Sequence, residues 1–578
     1  MAGNRLDDDI RRMQRTKTIA ATASAIFLVL LVVGTIAFIT TQADDEGTVA
    51  TRNMHSTSKS VQMLCSSTDY PNTCVLTITR ALESKYNDSS SVDPKELLYA
   101  ALHVVNHEVD QAFENSPLFK SNDSRIRDAA EDCIHLFDEC RFNIERSLNK
   151  SVEFGTNWSH DLETWTSAVI SFQQTCTDSF PEGETKEKVK MLMKTAKEVS
   201  SNAVSIVGQV AGLLTLLGDQ DSTSNERQLL ENAKGSPIWL SKSERRSVLG
   251  DYKSKLTPNV TVAKDGTGNF TTISAALEAM PEKYDGRYVI YVKGGIYEET
   301  VDVKKRMTNV TMYGDGSTKS IITGSKNVID GTRLWLTATM IVSGDGFMGI
   351  DLGILNTAGP EKQEAVALRV MADKAIFLSC RMEGYQQTIY AQAYRQFYRN
   401  CVIKGTVDFV SGDAAAVFQQ CIFLIRRPLP SQSTILTAQS RSDRQQTTGF
   451  VLHRCKILPD PSFHSDNNSS SLNNYLGRPS KKFSRLVIME SHVGKIVHPE
   501  GYTPSESAKD GWQSSLYFVE YRNVGGGSNF SKRVKWPGFR VIGTKEAKRF
   551  TVGRFLHGSS WIQAKGVPVK LGLYRRPV

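Results

Sequence analysis

An all-β parallel β-helix behind an all-α four-helix bundle is the fold that the sequence predicts, and three observations predict it. From about Ser60 to Leu217 apolar residues fall three and four apart, as in "LLYAALHVVNHEV" and "AVSIVGQVAGLLTLL", with few strand or turn signals. After about Leu256 the texture changes to short β-rich runs such as "YVIYVKG" and "NVTMYGD", broken by Gly, Asn and Asp. Within that second region an apolar-x-x-Cys unit recurs at Phe377/Cys380, Tyr398/Cys401, Phe418/Cys421 and Leu452/Cys455, and the first three copies are 21 and 20 residues apart. A period near 20, with β content and no intervening helices, suits coils that stack at the strand spacing of about 4.8 Å. A sandwich or propeller is the competing fold, with longer repeats or cleaner alternation.

The elements follow in chain order. At 578 residues the chain is long enough for more than one domain. Residues 1–17 read as a cytosolic tail and 18–42 ("TIAATASAIFLVLLVVGTIAFITTQ") as a signal-anchor, because this uncharged run exceeds the usual signal-peptide core and suits a transmembrane helix. Arg11, Arg12, Arg15 and Lys17 precede it, and Asp44, Asp45 and Glu46 follow, so the remainder is expected outside the cytosol. A long cleaved signal peptide is the alternative. Asn-x-Ser/Thr sequons at Asn87, Asn122, Asn149, Asn157, Asn259, Asn269, Asn309 and Asn529 all lie beyond the apolar run, as secretion would require.

In the helical region, 60–217, Cys65 with Cys74 and Cys133 with Cys176 are expected as disulfides, and no Cys or His spacing suggests zinc. Residues 218–250 form a polar linker whose Arg245-Arg246 pair is a candidate site for a processing protease, or else a solvated charge cluster. Residues 251–578 are the β domain. They hold about 44 Lys+Arg against about 27 Asp+Glu, so the formal +9 of the chain divides into roughly +17 here and −8 before. A cationic domain steers polyanions, and no nucleic-acid module accompanies the charge.

The repeat makes residues 20 to 23 apart neighbours on adjacent coils. Glu364, Gln386 with Gln387, and Asp408 meet that spacing and are expected to form a ladder of acids and amides along one face. Such a ladder is a candidate active site; it is equally what a solenoid uses to satisfy backbone groups in its turns.

Several stretches, taken together, resemble plant pectinesterase: "GTVDFVSGDAAAVFQQC", "EGYQQTIY", "GPEKQEAVALR", "LGRPSKKFSR", "GGIYEE" and "RVKWPGFRVI". The helical region, with its two cysteine pairs and "PIWLS" before the dibasic linker, looks like the pectinesterase-inhibitor domain that precedes the enzyme in the long form of that family. The resemblance implies a right-handed parallel β-helix that hydrolyses the C6 methyl esters of galacturonan without metal or cofactor, with pectin and the inhibitor-like domain in cis as partners. It implies destination to the cell wall, which the signal-anchor read from residues 18–42 would precede with a membrane-held precursor. It also implies a disulfide between Cys421 and Cys455 and leaves Cys140 and Cys380 without assigned partners. Carried over residue by residue, Asp408 matches the nucleophile, Arg478 its orienting partner and Gln386 an oxyanion donor. Tyr390 and Phe409 match the aromatic lining, or else are simply core, and Thr406 and Ser480 fall at substrate-facing positions.

Two departures bear on activity. Where the family carries its acid/base Asp, this chain has Gln387, and a primary amide neither donates nor accepts a proton at neutral pH. Where the family carries a second oxyanion amide, this chain has Glu364. The family's Trp after "GRP" is Ser480, the second Phe of its "DFIFG" is Ser411, and the aromatic of its "GW" segment is Tyr502. Either the acid has moved to Glu364, or proton transfer is lost and the domain binds pectin with impaired turnover; the number of independent departures favours the second. A working inhibitor-like domain acting on other pectinesterases is a third possibility.

Overall fold

The computed structural model describes residues 59–83, 93–113, 121–153, 158–218, 252–461, 463, 473–505 and 511–574. The signal-anchor, the Arg245-Arg246 pair and most of the linker lie outside them. Among the described residues no helix is long and apolar enough to cross a membrane.

The bundle is built on four long helices, Pro94–Phe113, Ser124–Glu153, Trp158–Ser179 and Lys194–Gly218. Their starts are written locally. Asp93 accepts from the Lys95 amide at 3.0 Å while Glu96 accepts from the Asp93 amide at 3.3 Å, a reciprocal capping box with Pro94 at the first helical position. Asp123 caps the next helix through the Arg125 amide at 2.9 Å. Both expected disulfides are present: Cys65 to Cys74, and Cys133 to Cys176, which ties the two longest-contacting helices together.

The second region is three parallel sheets of eleven, eight and seven strands, each strand pairing with its counterpart one coil away. The predicted ladder is in register, with Phe377 opposite Tyr398, Tyr398 opposite Phe418 and Phe418 opposite Leu452. The three rings stack with centroids 5.1 and 4.5 Å apart in the core. The cysteine repeat has a physical cause. Just before each cysteine a residue turns the chain at positive φ: Ser379 at 52°, Asn400 at 54°, Gln420 at 57° and Arg454 at 57°. Each such corner is stitched to the next coil, as by the Ser379 amide on the Arg399 carbonyl at 2.9 Å. The small apolar cysteine that follows then points inward as the next strand begins.

One expectation fails here. Cys421 and Cys455 stand on adjacent coils but are separate buried thiols, as are Cys140, Cys380 and Cys401. The Cys455 thiol turns to the Phe418 carbonyl at 3.1 Å and that of Cys421 to the Tyr398 carbonyl at 3.6 Å, so each thiol bonds backbone of the coil before it and no disulfide joins the two.

Candidate active site and its docked bundle

The seven-stranded sheet carries the groove. Its inward row, Met340, Leu368, Ile389 and Val410, is core, and its outward row runs Ile341, Arg369, Tyr390, Ser411, Ala438, Arg478 on successive coils. The ladder predicted from spacing stands at the corner where the chain enters this sheet. Glu364 bridges to Gln386, and the Gln387 amide bonds the Val407 carbonyl at 3.0 Å, which puts Gln387 and Asp408 at equivalent points of neighbouring coils. Both have left-handed backbone, φ 57° for Gln387 and 48° for Asp408. Asp adopts that conformation readily and Gln does so less often, so the backbone is the more strained at Gln387.

Asp408 is 4% exposed and is gripped by Arg478, whose Nε lies 2.9 Å from Oδ1 and 3.1 Å from Oδ2 and whose Nη2 also bonds Oδ2. Burial pushes the Asp408 carboxyl above the ordinary aspartate range, and Arg478 opposes that rise. If Asp408 must be ionised to react, activity falls as pH drops through a value above that ordinary range. Arg478→Gln removes the opposing charge, so the acid limb of a kcat/KM profile is expected to move further up; a limb that stays in place or moves down would contradict this role.

The amides are differently engaged. Gln386 Nε2 donates to Glu364 Oε1 at 2.8 Å, and Gln387 Oε1 accepts from the Ser411 hydroxyl at 3.3 Å, leaving the Gln387 amide nitrogen as a donor. Glu364 is thus held by Gln386, two coils from Asp408, a backbone separation of about 9–10 Å at the usual strand spacing.

Two expected substrate-facing side chains, Phe409 and Thr406, are placed elsewhere. Phe409 is fully buried, its ring packed on Phe423 at 6.4 Å inside the β-helix, because it takes the inward position after the Asp408 corner. Thr406 is 2% exposed in backbone that joins two coils, its amide on the Tyr385 carbonyl at 2.8 Å. Tyr502 is also core, its hydroxyl on Glu520 at 3.2 Å. Tyr390 does face outward, and Ser480 lies half-buried just past Arg478. Sequence reasoning missed Trp335 and Arg369, which meet with the guanidinium 4.7 Å from the ring centroid. Arg369 was visible as the register partner of Tyr390, whereas Trp335 sits in a single helical turn outside any repeat.

The bundle docks along this groove. Its core and that of the β-helix merge around Met371, Ala393 and Tyr394, and Asn143 donates to the Tyr394 hydroxyl at 2.7 Å. Acids of the bundle meet bases of the β-helix: Asp132 with Arg333 at 2.6 Å, Glu139 with Lys305 at 3.2 Å, Asp161 with Arg395 at 2.6 Å and Asp178 with Lys481 at 2.7 Å. Ser171 donates to Asp413 at 2.5 Å, and Gln446 donates to both at 3.0 and 2.6 Å. Thr175 meets the Tyr390 hydroxyl, and His135 packs edge-on to Trp335 at 5.6 Å. Between the two domains remains a cavity of about 790 Å³ lined by Trp335, Arg369 and Tyr390 on one side and Asp132, His135 and Asp178 on the other.

A family model described as Pectinesterase matches residues 259–559, more than half of the chain. The chain belongs to the pectinesterase family. A second model, Plant invertase/pectin methylesterase inhibitor, matches residues 59–206, the docked bundle. Among curated relatives, "Probable pectinesterase/pectinesterase inhibitor 13" of Arabidopsis thaliana is 44% identical over 521 residues, 89% of this chain and 82% of that one. "Pectinesterase 3" of Citrus sinensis is 38% identical over 525 residues, 88% of each chain. Among solved structures, the pectin methylesterase from carrot is 44% identical with a TM-score of 0.54, covering 55% of this chain and 99% of that chain. The matched 55% of this chain therefore spans nearly the whole of the carrot protein.

Proposed function

We propose that this pectinesterase-family β-helix binds methyl-esterified galacturonan and hydrolyses its C6 methyl esters slowly, because the nucleophilic half of the machinery is intact while the proton-transfer half is missing. The observation that carries this reading is the engagement of the two residues in question: Gln387, on the coil next to Asp408, is an amide bonded to Ser411, and Glu364 is a coil further off and held by Gln386. In the reaction the Asp408 carboxylate attacks the ester carbonyl, Arg478 holds it in line, and the oxyanion takes the Gln387 amide nitrogen and the hydrogen of the Gln386 amide that is not given to Glu364. Methoxide must then leave with a proton, and water must attack the acyl-enzyme after losing one. Among the described residues no acid stands beside Asp408 to do either, and such transfer contributes about 10² to 10⁴-fold.

The bundle is proposed to act in cis as a cover that keeps pectin from Tyr390 and Trp335 until cleavage near Arg245-Arg246, in a chain routed through the secretory pathway to the cell wall. The six described sequon asparagines are all exposed, as glycosylation requires. The test is methanol release from methylated pectin by residues 252–578, measured beside retention on the same polymer. Retention with slow release is the expected result; fast release without variants, or no retention, would overturn the reading.

A further inference from the structure

A second cavity, about 310 Å³, lies around the β-helix from the groove, at the leading edge of the eleven-stranded sheet and under the bundle helix Trp158–Ser179. Six arginines line it, Arg395, Arg441, Arg444, Arg485, Arg549 and Arg554, with His160 and His557, against the single acid Glu163. Arg395 is answered by Asp161 and Asp373, and Arg444 by Asp69. Arg441 and Arg485 have no carboxylate within ion-pair distance among the described residues. Arg441 donates to the carbonyls of Gln446, Phe483 and Arg444, and Arg485 to that of Thr448 at 2.9 Å.

The Arg485 Nε is buried with no hydrogen-bond partner at all. A buried guanidinium nitrogen left unmatched beside a second buried arginine is costly unless an anion completes it. The slot for Arg485 is specific. On the neighbouring coil stands Gly449, at φ 154°, where a Cβ would come within 2.7 Å of the Arg485 Cδ, so only glycine leaves room for the side chain to lie across the strand. Local potential follows the charge: burial first, then His160 stacked 3.2 Å away, Arg395 and Arg554, with Asp161 opposing, hold His557 down at about 3. One wall is aromatic, formed by Tyr517, Phe550 and Phe555, with the Phe550 ring tilted against each of the other two at 5.3 and 5.9 Å.

We propose that this cavity is a binding site for an acidic sugar, a uronate whose carboxylate is taken by Arg485 and Arg441 and whose ring packs on Tyr517 and Phe550. Guanidinium forks match carboxylates, aromatic faces match sugar rings, and the volume is far more than a bare oxyanion fills. The identity of the ligand rests on the proposed function, since de-esterified galacturonan is the product of that reaction. Because the bundle supplies His160 and Glu163 to the wall, product bound here would touch both domains at once.

The experiment is calorimetric titration of the full chain with trigalacturonate and, separately, with inorganic phosphate. Saturable trigalacturonate binding is expected, weakened at least tenfold by Arg485→Gln and by Arg549→Gln, whose exposed side chain leaves the fold untouched. Absence of saturable binding, binding that neither variant weakens, or phosphate binding as tightly as trigalacturonate would overturn it. Binding is read without turnover, so failure of methanol release leaves this result standing and failure here leaves the esterase reading standing.

Discussion

Gln387→Asp is expected to raise the rate of methanol release by the β-helix domain about 10² to 10⁴-fold, with the apparent affinity for pectin little changed. The backbone at this position already has the left-handed conformation, φ 57°, that Asp tolerates better than Gln, so the substitution fits without rearrangement. The new carboxyl would sit one coil from Asp408, where two acids at such separation cannot ionise equally; one is pushed up and keeps its proton for the departing methoxide. Ser411, which now donates to the Gln387 oxygen, can donate to a carboxylate oxygen in the same place. Pectin methanol assays on the two proteins decide it, and an unchanged rate would mean that proton transfer is not what limits this chain.

The second large effect is at Asp408. In the Gln387→Asp background, Asp408→Asn is expected to abolish the gain and carry the rate to that of the uncatalysed ester, because Asp408 is the carboxylate that Arg478 grips through two nitrogens. The fold should survive it. Asn also accepts a φ of 48°, and the sign of the titration favours the neutral side chain. A buried carboxyl held above its ordinary value makes its ionised form a net cost to folding at pH 7. The neutral amide is therefore expected to leave the melting temperature unchanged or higher, the usual trade between activity and stability. A lost rate with a collapsed melting temperature would instead mark Asp408 as structural.

The legibility of these features in the sequence follows from their physics. The β-helix was readable because each coil repeats one corner, a residue at positive φ followed by an inward cysteine, and that periodic constraint writes itself into the chain at Cys380, Cys401, Cys421 and Cys455. The ladder of Glu364, Gln386 and Asp408 followed from the same period. Inward or outward placement was less legible: Phe409 and Tyr502 are aromatics next to motif residues, yet both are buried in the core, Phe409 at the corner just before its strand, where the two-residue alternation does not hold. Trp335 escaped because its helical turn interrupts the period. The cysteine pairing failed for a related reason: stacked cysteines are neighbours, but each thiol stays a thiol, bonded to a carbonyl of the coil before it and in contact with the next thiol of the stack. The docking of acids on bases was foreshadowed only by the opposite charges of the two halves; which pairs meet depends on helix faces that no local pattern fixes.

The most direct test of the account is the rate of methanol release by Glu364→Gln beside the otherwise unaltered β-helix domain. Glu364 is held by Gln386 a coil away from the reacting carboxylate's neighbour, so the rate is predicted to stay within about twofold of the parent or to rise as a charge that repels the oxyanion is removed. A rate abolished by Glu364→Gln would contradict the account and place the missing proton on Glu364.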